Sequence, residues 1–242
     1  MKEYDKLKEM IDNSKYIVFF GGAGVSTESG IKDFRSKNGL YNQKYDEYNP
    51  EYLLSHDCLV NNSKVFYDYY RKNMNFLNAL PNITHNVLAK LEQNGKLAAI
   101  ITQNIDSLHQ KAGSKNVLEL HGTIYENYCM KCHKKYASDI IFNSNGIPRC
   151  NCGGMIRPNV ILYGEMLPDI YLDACDYISQ ADLLIVAGTS LTVEPASGMI
   201  KLFKGKNLVI INKDKTAYDK FANLVIHNSL GDVFRYLKDK QI

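Results

Sequence analysis

Residues Tyr16–Gly30 read YIVFFGGAGVSTESG, and the fold turns on this stretch. Its first part, Tyr16–Phe20, is aromatic and β-branched without a polar break, which predicts a strand buried on both faces. The glycines after it open a tight turn, and a helix-like start follows. Glycines at such a place let the backbone approach a diphosphate, and a helix beginning there turns free N–H groups and a positive dipole end toward the anion. The match to the dinucleotide fingerprint G-x-G-x-x-G is partial. Gly22 and Gly24 fit, Thr27 holds the third place, and no acidic residue evidently closes the second strand. A plain tight turn remains the alternative at this point.

Outward from that stretch, similar apolar runs recur at Leu97–Ile101, Val117–Leu120, Val160–Leu162, Leu183–Ala187, Leu208–Ile211 and Leu224–Ile226. Leu7, Met10 and Ile11 mark a first amphipathic helix, and Asn86–Gln93 and Tyr171–Ser179 mark others between the runs. Strand, helix and strand in turn predict an α/β fold: a Rossmann-like parallel sheet with helices on both faces. Two stretches break the rhythm. Residues 33–79 are rich in Tyr, Asn and charge, with a helix expected near Ser63–Phe76, and residues 126–157 hold a cysteine cluster and the turn-prone NSNGIPRCNCGG. Both read as insertions that pack together into a smaller helical and zinc-binding domain. Residues 1–32, 80–125 and 158–242 then form a discontinuous dinucleotide-binding domain.

With 242 residues, 45% hydrophobic and 23% charged, the chain suits one large soluble domain plus a small module. A net charge of +3 is too small to argue for nucleic acid, and the lysines around Lys131–Lys135 and Lys201–Lys206 lack interleaved aromatics. The N-terminal MKEYDKLKEM mixes both charges without an apolar core, and no apolar run approaches the roughly 20 residues of a membrane helix. The expectation is a cytoplasmic protein with neither nucleic acid nor membrane as partner. Composition leaves the oligomeric state open, and a monomer is compatible with it.

Small or polar residues fall at five successive predicted strand ends: Thr102–Asp106 (TQNID), His121, Tyr163 with Gly164, Gly188–Ser190 (GTS) and Asn212. Ligands of open α/β sheets bind at those ends. His121 lies in Glu119–Gly122 (ELHG), where the glycine leaves room for a ligand, so a general base and a structural histidine are both open readings. Of the six cysteines, Cys129 and Cys132 form one close pair and Cys150 and Cys152 another, with 17 residues between the pairs. Four thiolates close a tetrahedral zinc shell without an open position, which predicts a structural ion.

These segments resemble the sirtuin family. GAGVSTESGIKDFR, TQNIDSLHQKAG, ELHG, the cysteine cluster, RPNVILYGE, GTSLTVEPA and IIN stand in sirtuin order, from about Ile17 to Val233. The resemblance implies an enzyme that consumes NAD, removes acetyl groups from lysines of protein substrates, and releases nicotinamide and O-acetyl-ADP-ribose. It implies that His121 is the base, that Asn104 orients the ribose and a water, and that Ile105 and Asp106 hold the nicotinamide amide. Phe34 would shield the ribose carbon and Gln103 would contact the ribose hydroxyls. Ala23, Thr27 and Arg35 would line the diphosphate region, and Thr189, Ser190, Asn212 and Asp232 the adenosine half. The substrate peptide would pair as a strand between Gly164–Glu165–Met166 and Thr192–Val193–Glu194.

Two departures from the family pattern stand out: Lys32 replaces the proline of GIPDFR, and the second cysteine pair is one residue shorter than usual. Succinyl-selective members carry Tyr-x-x-Arg. Here Tyr67 fits, Tyr70 takes the arginine's place, and Arg71 arrives one residue late, a turn of about 100° on a helix. Uncharged acyl groups are therefore expected over succinyl. Mono-ADP-ribosyl transfer on the same scaffold, or a non-enzymatic nucleotide-sensing module with a zinc ribbon, are the competing functions.

Overall fold

The computed structural model describes residues 2–36, 39–42, 45 and 48–241. The strands are β1 (Ile17–Gly21), β2 (Leu97–Thr102), β3 (Val117–Glu119), β4 (Gly122–Cys129), β5 (Lys135–Ala137), β6 (Ile156–Val160), β7 (Leu183–Ala187), β8 (Asn207–Ile211) and β9 (Leu224–Ile226). The helices are α1 (Lys2–Asn13), α2 (Pro50–Leu53), α3 (His56–Asn61), α4 (Ser63–Asn73), α5 (Ile83–Gln93), α6 (Leu108–Lys111), α7 (Asp139–Phe142), α8 (Ile170–Gln180) and α9 (Leu230–Asp239).

A six-stranded parallel sheet runs in the order β3-β2-β1-β7-β8-β9. Every residue of β1 is buried, because the sheet is covered on both faces. Its side chains alternate between two cores. Ile17 and Phe19 join Leu7, Leu88, Val233 and Phe234 on the face of α1, α5 and α9, while Val18 and Phe20 join Ile178, Met199 and Ile200 on the face of α8. The chain leaves β1 toward β2 on one side and returns to β7 on the other. That makes the β1–β7 junction a topological switch point, where a crevice opens beyond the carboxyl ends of the strands.

Two expectations change. The apolar run Val160–Leu162 is not a strand of this sheet. Only Val160 is in a strand, and that strand, β6, runs antiparallel to β4 in a separate three-stranded sheet ordered β5-β4-β6. Val160 and Leu162 are apolar because they pack into a third core with Leu53, Phe66, Tyr70 and Ile124, which joins α2, α3 and α4 to the second sheet. The helix expected after the glycine turn is a short 3-10 helix, Ala23–Ser29, stopped by Gly30 at φ 83. Its tighter winding and brief length leave a weaker dipole than an α-helix would offer.

Candidate functional site

The crevice is a cleft of about 340 Å³ that collects residues from four loop regions: 23–36, 103–106, 160–167 and 188–195, together with His121, Asn212 and Asp214. Two carbonyl bonds close its β1–β7 side, Gly22 N–H to Ala187 O at 3.2 Å and Gly24 N–H to Gly188 O at 2.8 Å, and Gly188 N–H donates across to Ile211 O of β8 at 3.0 Å. A Cβ on Gly24 would stand 2.7 Å from Gly188 Cα, and one on Gly22 2.8 Å from Thr189 Cβ. Both glycines are thus required where one strand end crosses another, a packing reason beyond approach to a ligand.

A hydrogen-bond chain forms the floor. Asn104 Nδ2 donates to Ser26 Oγ at 3.0 Å, Ser26 donates to Asp106 Oδ2 at 2.6 Å, and Leu108 N–H donates to Asp106 Oδ1 at 2.9 Å. Asp106 is 3% exposed, and burial pushes its carboxyl above the ordinary range against these donors. Gln103 accepts from Thr189 Oγ1 at 3.3 Å, yet its buried Nε2 meets no hydrogen-bond partner among the described residues. A buried amide donor left bare costs about 1–3 kcal/mol, so a ligand oxygen at this point would be favoured.

His121 stands at 2.9 Å from Gln103 O through Nδ1. A carbonyl only accepts, so Nδ1 carries the hydrogen and Nε2 is left as the basic nitrogen. Burial holds the imidazole below its usual pKa, with the Gln103 bond acting in the opposite direction. Beside it, Phe34 meets Tyr41 edge-on at 5.5 Å and Arg35 lies 5.0 Å over the Tyr41 ring. Leu40 N–H and Tyr41 N–H donate to Asp33 O and Phe34 O, which hold the 33–36 turn although Lys32 stands where a proline would stiffen it.

Among the residues expected at a site, Ala23, Phe34, Arg35, Gln103, Asn104, Ile105, Asp106, His121, Thr189, Ser190, Asn212, Gly164, Glu165, Val193 and Glu194 line this cleft. Four do not. Thr27 turns back to donate to Gly24 O at 3.0 Å, and Thr192 Oγ1 pairs with Ser190 Oγ at 2.9 Å. Met166 borders a neighbouring depression and is 90% exposed. Asp232 sits in the first turn of α9 and bonds Arg235 at 2.7 Å. Ser26, Tyr70, Met74, Phe76 and Asp214 line the cleft unforeseen.

The four cysteines meet at the end of β4. Their Sγ atoms all lie within 4.8 Å of one another, with Cys129–Cys152 at 3.5 Å and Cys132–Cys150 at 3.6 Å. An S–S bond of about 2.05 Å is excluded, whereas zinc bonds of about 2.3 Å imply tetrahedral edges near 3.8 Å. The short second pair works because Gly153 turns at φ 81 and Gly154 passes beneath the cluster; a Cβ there would stand 2.6 Å from Cys129 Sγ. Cys152 N–H and the Tyr136 hydroxyl both donate to Cys150 Sγ, which holds that thiol down to about 6. The donor set fits one tetrahedral zinc ion.

A sequence model of the Sir2 family matches residues 22–195. The chain is 54% identical over 233 residues to an NAD-dependent protein deacetylase of Clostridium perfringens, covering 95% of this chain and 96% of that one. It is 50% identical over 240 residues to the protein of that name from Staphylococcus aureus strain COL, covering 97% and 98%. Among solved structures, a Sir2 complex with deacetylated p53 peptide and 3'-O-acetyl-ADP-ribose superposes with a TM-score of 0.92 at 38% identity, covering 99% of this chain and 98% of that one. A Sir2 complex with p53 peptide and NAD superposes at 0.88 with 39% identity, covering 99% and 98%. The switch-point cleft, the imidazole beside the buried Asn–Ser–Asp chain and this likeness along the whole length lead to one assignment: the chain belongs to the Sir2 family.

Proposed function

We propose that this chain is an NAD-dependent protein-lysine deacetylase, which consumes NAD and releases nicotinamide, O-acetyl-ADP-ribose and the free lysine. The observation that carries the reading is the bare Nε2 of His121, held by the Gln103 carbonyl in the same cleft as the Asn104–Ser26–Asp106 chain. NAD, when bound, supplies the ribosyl carbon to which the acyl oxygen adds as nicotinamide leaves. His121 Nε2 takes the proton of a ribose hydroxyl so that this oxygen can reach the acyl carbon. Its Nδ1–H stays on Gln103 O throughout, which keeps the ring aimed.

The remaining roles follow from chemistry at each position. Asp106, steadied by Ser26 and Leu108, accepts from the nicotinamide amide beside Ile105, and Asn104 orients the ribose. Gln103 Nε2 finds the acceptor it lacks in a ribose hydroxyl. Phe34 keeps water from the ribose carbon. Ala23 and Arg35, with Thr27 behind them, serve the diphosphate, and Thr189, Ser190 and Asn212 the adenosine half. Asp232, on the surface of α9, reaches it less directly. The acetyl-lysine peptide adds as a strand between 164–166 and 192–194. Zinc at Cys129, Cys132, Cys150 and Cys152 is structural, since four thiolates leave no open position. We place the protein in the cytoplasm, where these thiolates stay reduced.

Incubation with NAD and an acetyl-lysine peptide, followed by mass analysis, tests the reading. O-Acetyl-ADP-ribose with deacetylated peptide is expected. An ADP-ribosylated protein would instead mean ADP-ribosyl transfer, and untouched NAD a binding module.

A further inference from the structure

We propose that Glu165 is a positioning residue whose carboxylate, clasped by Arg157, sets the peptide-docking segment 164–166 and thereby the affinity for the acyl-lysine substrate. The inference rests on the deacetylase reading above. It starts from a departure in geometry: Glu165 stands in the segment expected to touch peptide, yet its side chain points back into the protein.

Arg157, on β6, is the centre of the clasp. Its side chain is 6% exposed. Nε donates to Pro158 O at 3.2 Å, Nη2 donates to Val160 O at 2.8 Å, and both Nη atoms donate to the Glu165 carboxylate, the Nη2 contact being 3.0 Å. Glu165 also accepts from Leu162 N–H at 2.8 Å and faces His56 Nδ1 at 2.9 Å. Burial alone would raise this carboxyl, but Arg157, the Leu162 amide and His56 outweigh it and hold the group down to about 2. The charge is therefore fixed at any working pH.

The other flank of the segment is tied by backbone. Tyr163 N–H donates to Leu54 O and His56 N–H to Tyr163 O, both at 3.0 Å, in a parallel bridge between Ser55 and Tyr163. Gly164 then turns at φ 87. Segment 161–166 thus hangs between the start of α3 and β6, and one carboxylate links the two. With its N–H donating to Leu162 O at 3.0 Å, Glu165 leaves its carbonyl for a peptide strand to pair with, while Met166 beyond it projects into solvent at 90% exposure. An exposed ion pair would contribute little, but a bidentate pair this buried leaves an uncompensated charge when one partner goes. The loss falls first on residues 164–166, which lie past the Tyr163 bridge and which the clasp links to β6.

The test uses the full-length, zinc-loaded protein, with acetyl-lysine peptide and NAD varied separately. Glu165→Gln keeps the shape and an acceptor for Leu162 N–H but removes the charge. Peptide KM should rise about tenfold, with kcat and NAD KM changing less than about threefold. His56→Ala removes only the half-exposed arm and should raise peptide KM about twofold at unchanged Tm, which keeps the idea testable should Glu165→Gln fold poorly. An unchanged peptide KM in both variants, or an equal rise in peptide KM and NAD KM, overturns the proposal, the latter marking general loosening. Wild-type turnover in the same assay separates the two readings. If wild type forms O-acetyl-ADP-ribose and the variants show a flat peptide KM, the positioning role alone fails; if wild type forms none, the deacetylase reading fails first and this role with it.

Discussion

At His121 one hydrogen bond decides which nitrogen can work. Because Nδ1 donates to Gln103 O, Nε2 is the only basic site, and burial holds the ring neutral at pH 7. His121→Ala should lower kcat/KM for deacetylation at least about 100-fold, with the NAD Kd shifted less than about threefold. Near-normal deacetylation by this variant would remove the imidazole from the chemistry. The pH dependence has a definite sign. A base with a lowered pKa is deprotonated over most of the range, so kcat/KM should climb with pH through a midpoint below about 6.5 and then level off. An acid limb centred above that value would contradict the burial argument. The histidine itself was legible in ELHG, but its tautomer was not, because the deciding carbonyl lies 18 residues away. Ser26 escaped for the same reason: its hydroxyl links Asn104 and Asp106, and Asp106 is 80 residues off in sequence.

On α4 the offset of one residue becomes a difference in partners. Tyr70 faces the cleft, while Arg71 is turned to donate to Gly146 O at 2.7 Å and to pair with Asp68 at 2.8 Å. Tyr67, the expected companion, donates instead to Ile156 O at 2.7 Å. A succinyl carboxylate beside Tyr70, Met74, Phe76 and Ile105 would meet no cation among those four walls; the described cations of the cleft, Lys32 and Arg35, belong to the 23–36 loop, which the NAD diphosphate is proposed to occupy. Matched acetyl and succinyl peptides should differ in kcat/KM by at least about tenfold in favour of acetyl. Equal turnover would mean that Arg71 swings free of Gly146. The cysteine module is the second element with a sharp consequence. Cys150→Ser removes the thiolate that receives both the Cys152 amide and the Tyr136 hydroxyl. Zinc content should fall from about one ion per chain to near zero, and Tm should drop by several degrees, because a structural zinc contributes folding free energy directly. A metal-free wild-type protein of undiminished Tm would refute the zinc reading. The cluster was legible from spacing alone, whereas the fit of its short pair depended on Gly154 passing under Cys129, which no spacing rule states.

Across the whole molecule, continuous apolar runs disclosed the parallel sheet because burial on both faces leaves no polar position inside a strand, as β1 and β7 show. The run at Val160–Leu162 misled for the complementary reason: a third core demands the same residues without the same sheet. That core and the main one are separately packed, yet two histidines tie acid stability to the main one. His85, at the third position of α5, accepts from Asn82 N–H through Nδ1 at 3.2 Å, and its ring centre lies 4.7 Å from that of His109, which meets Phe19 of β1. Neither His109 nitrogen, nor His85 Nε2, has a hydrogen-bond partner among the described residues. Burial lowers His85 to about 4, and burial with the neighbouring His85 lowers His109 further below its ordinary value. Both folded-state values lie below the unfolded value of about 6.5, so the unfolded chain takes up protons first. Stability is then flat with respect to these groups above about pH 6.5 and declines as pH falls toward 4. For His85 alone the decline amounts to about 2 kcal/mol by pH 5. His85→Gln removes the proton site while keeping an acceptor for Asn82 N–H at the capping position. Zinc loss in acid weakens wild type and variant alike, so the comparison isolates the histidine. Urea unfolding at pH 7 and pH 5 should show a smaller loss for His85→Gln than for wild type, by about 1–2 kcal/mol; equal losses would mean that His85 takes its proton without leaving the core.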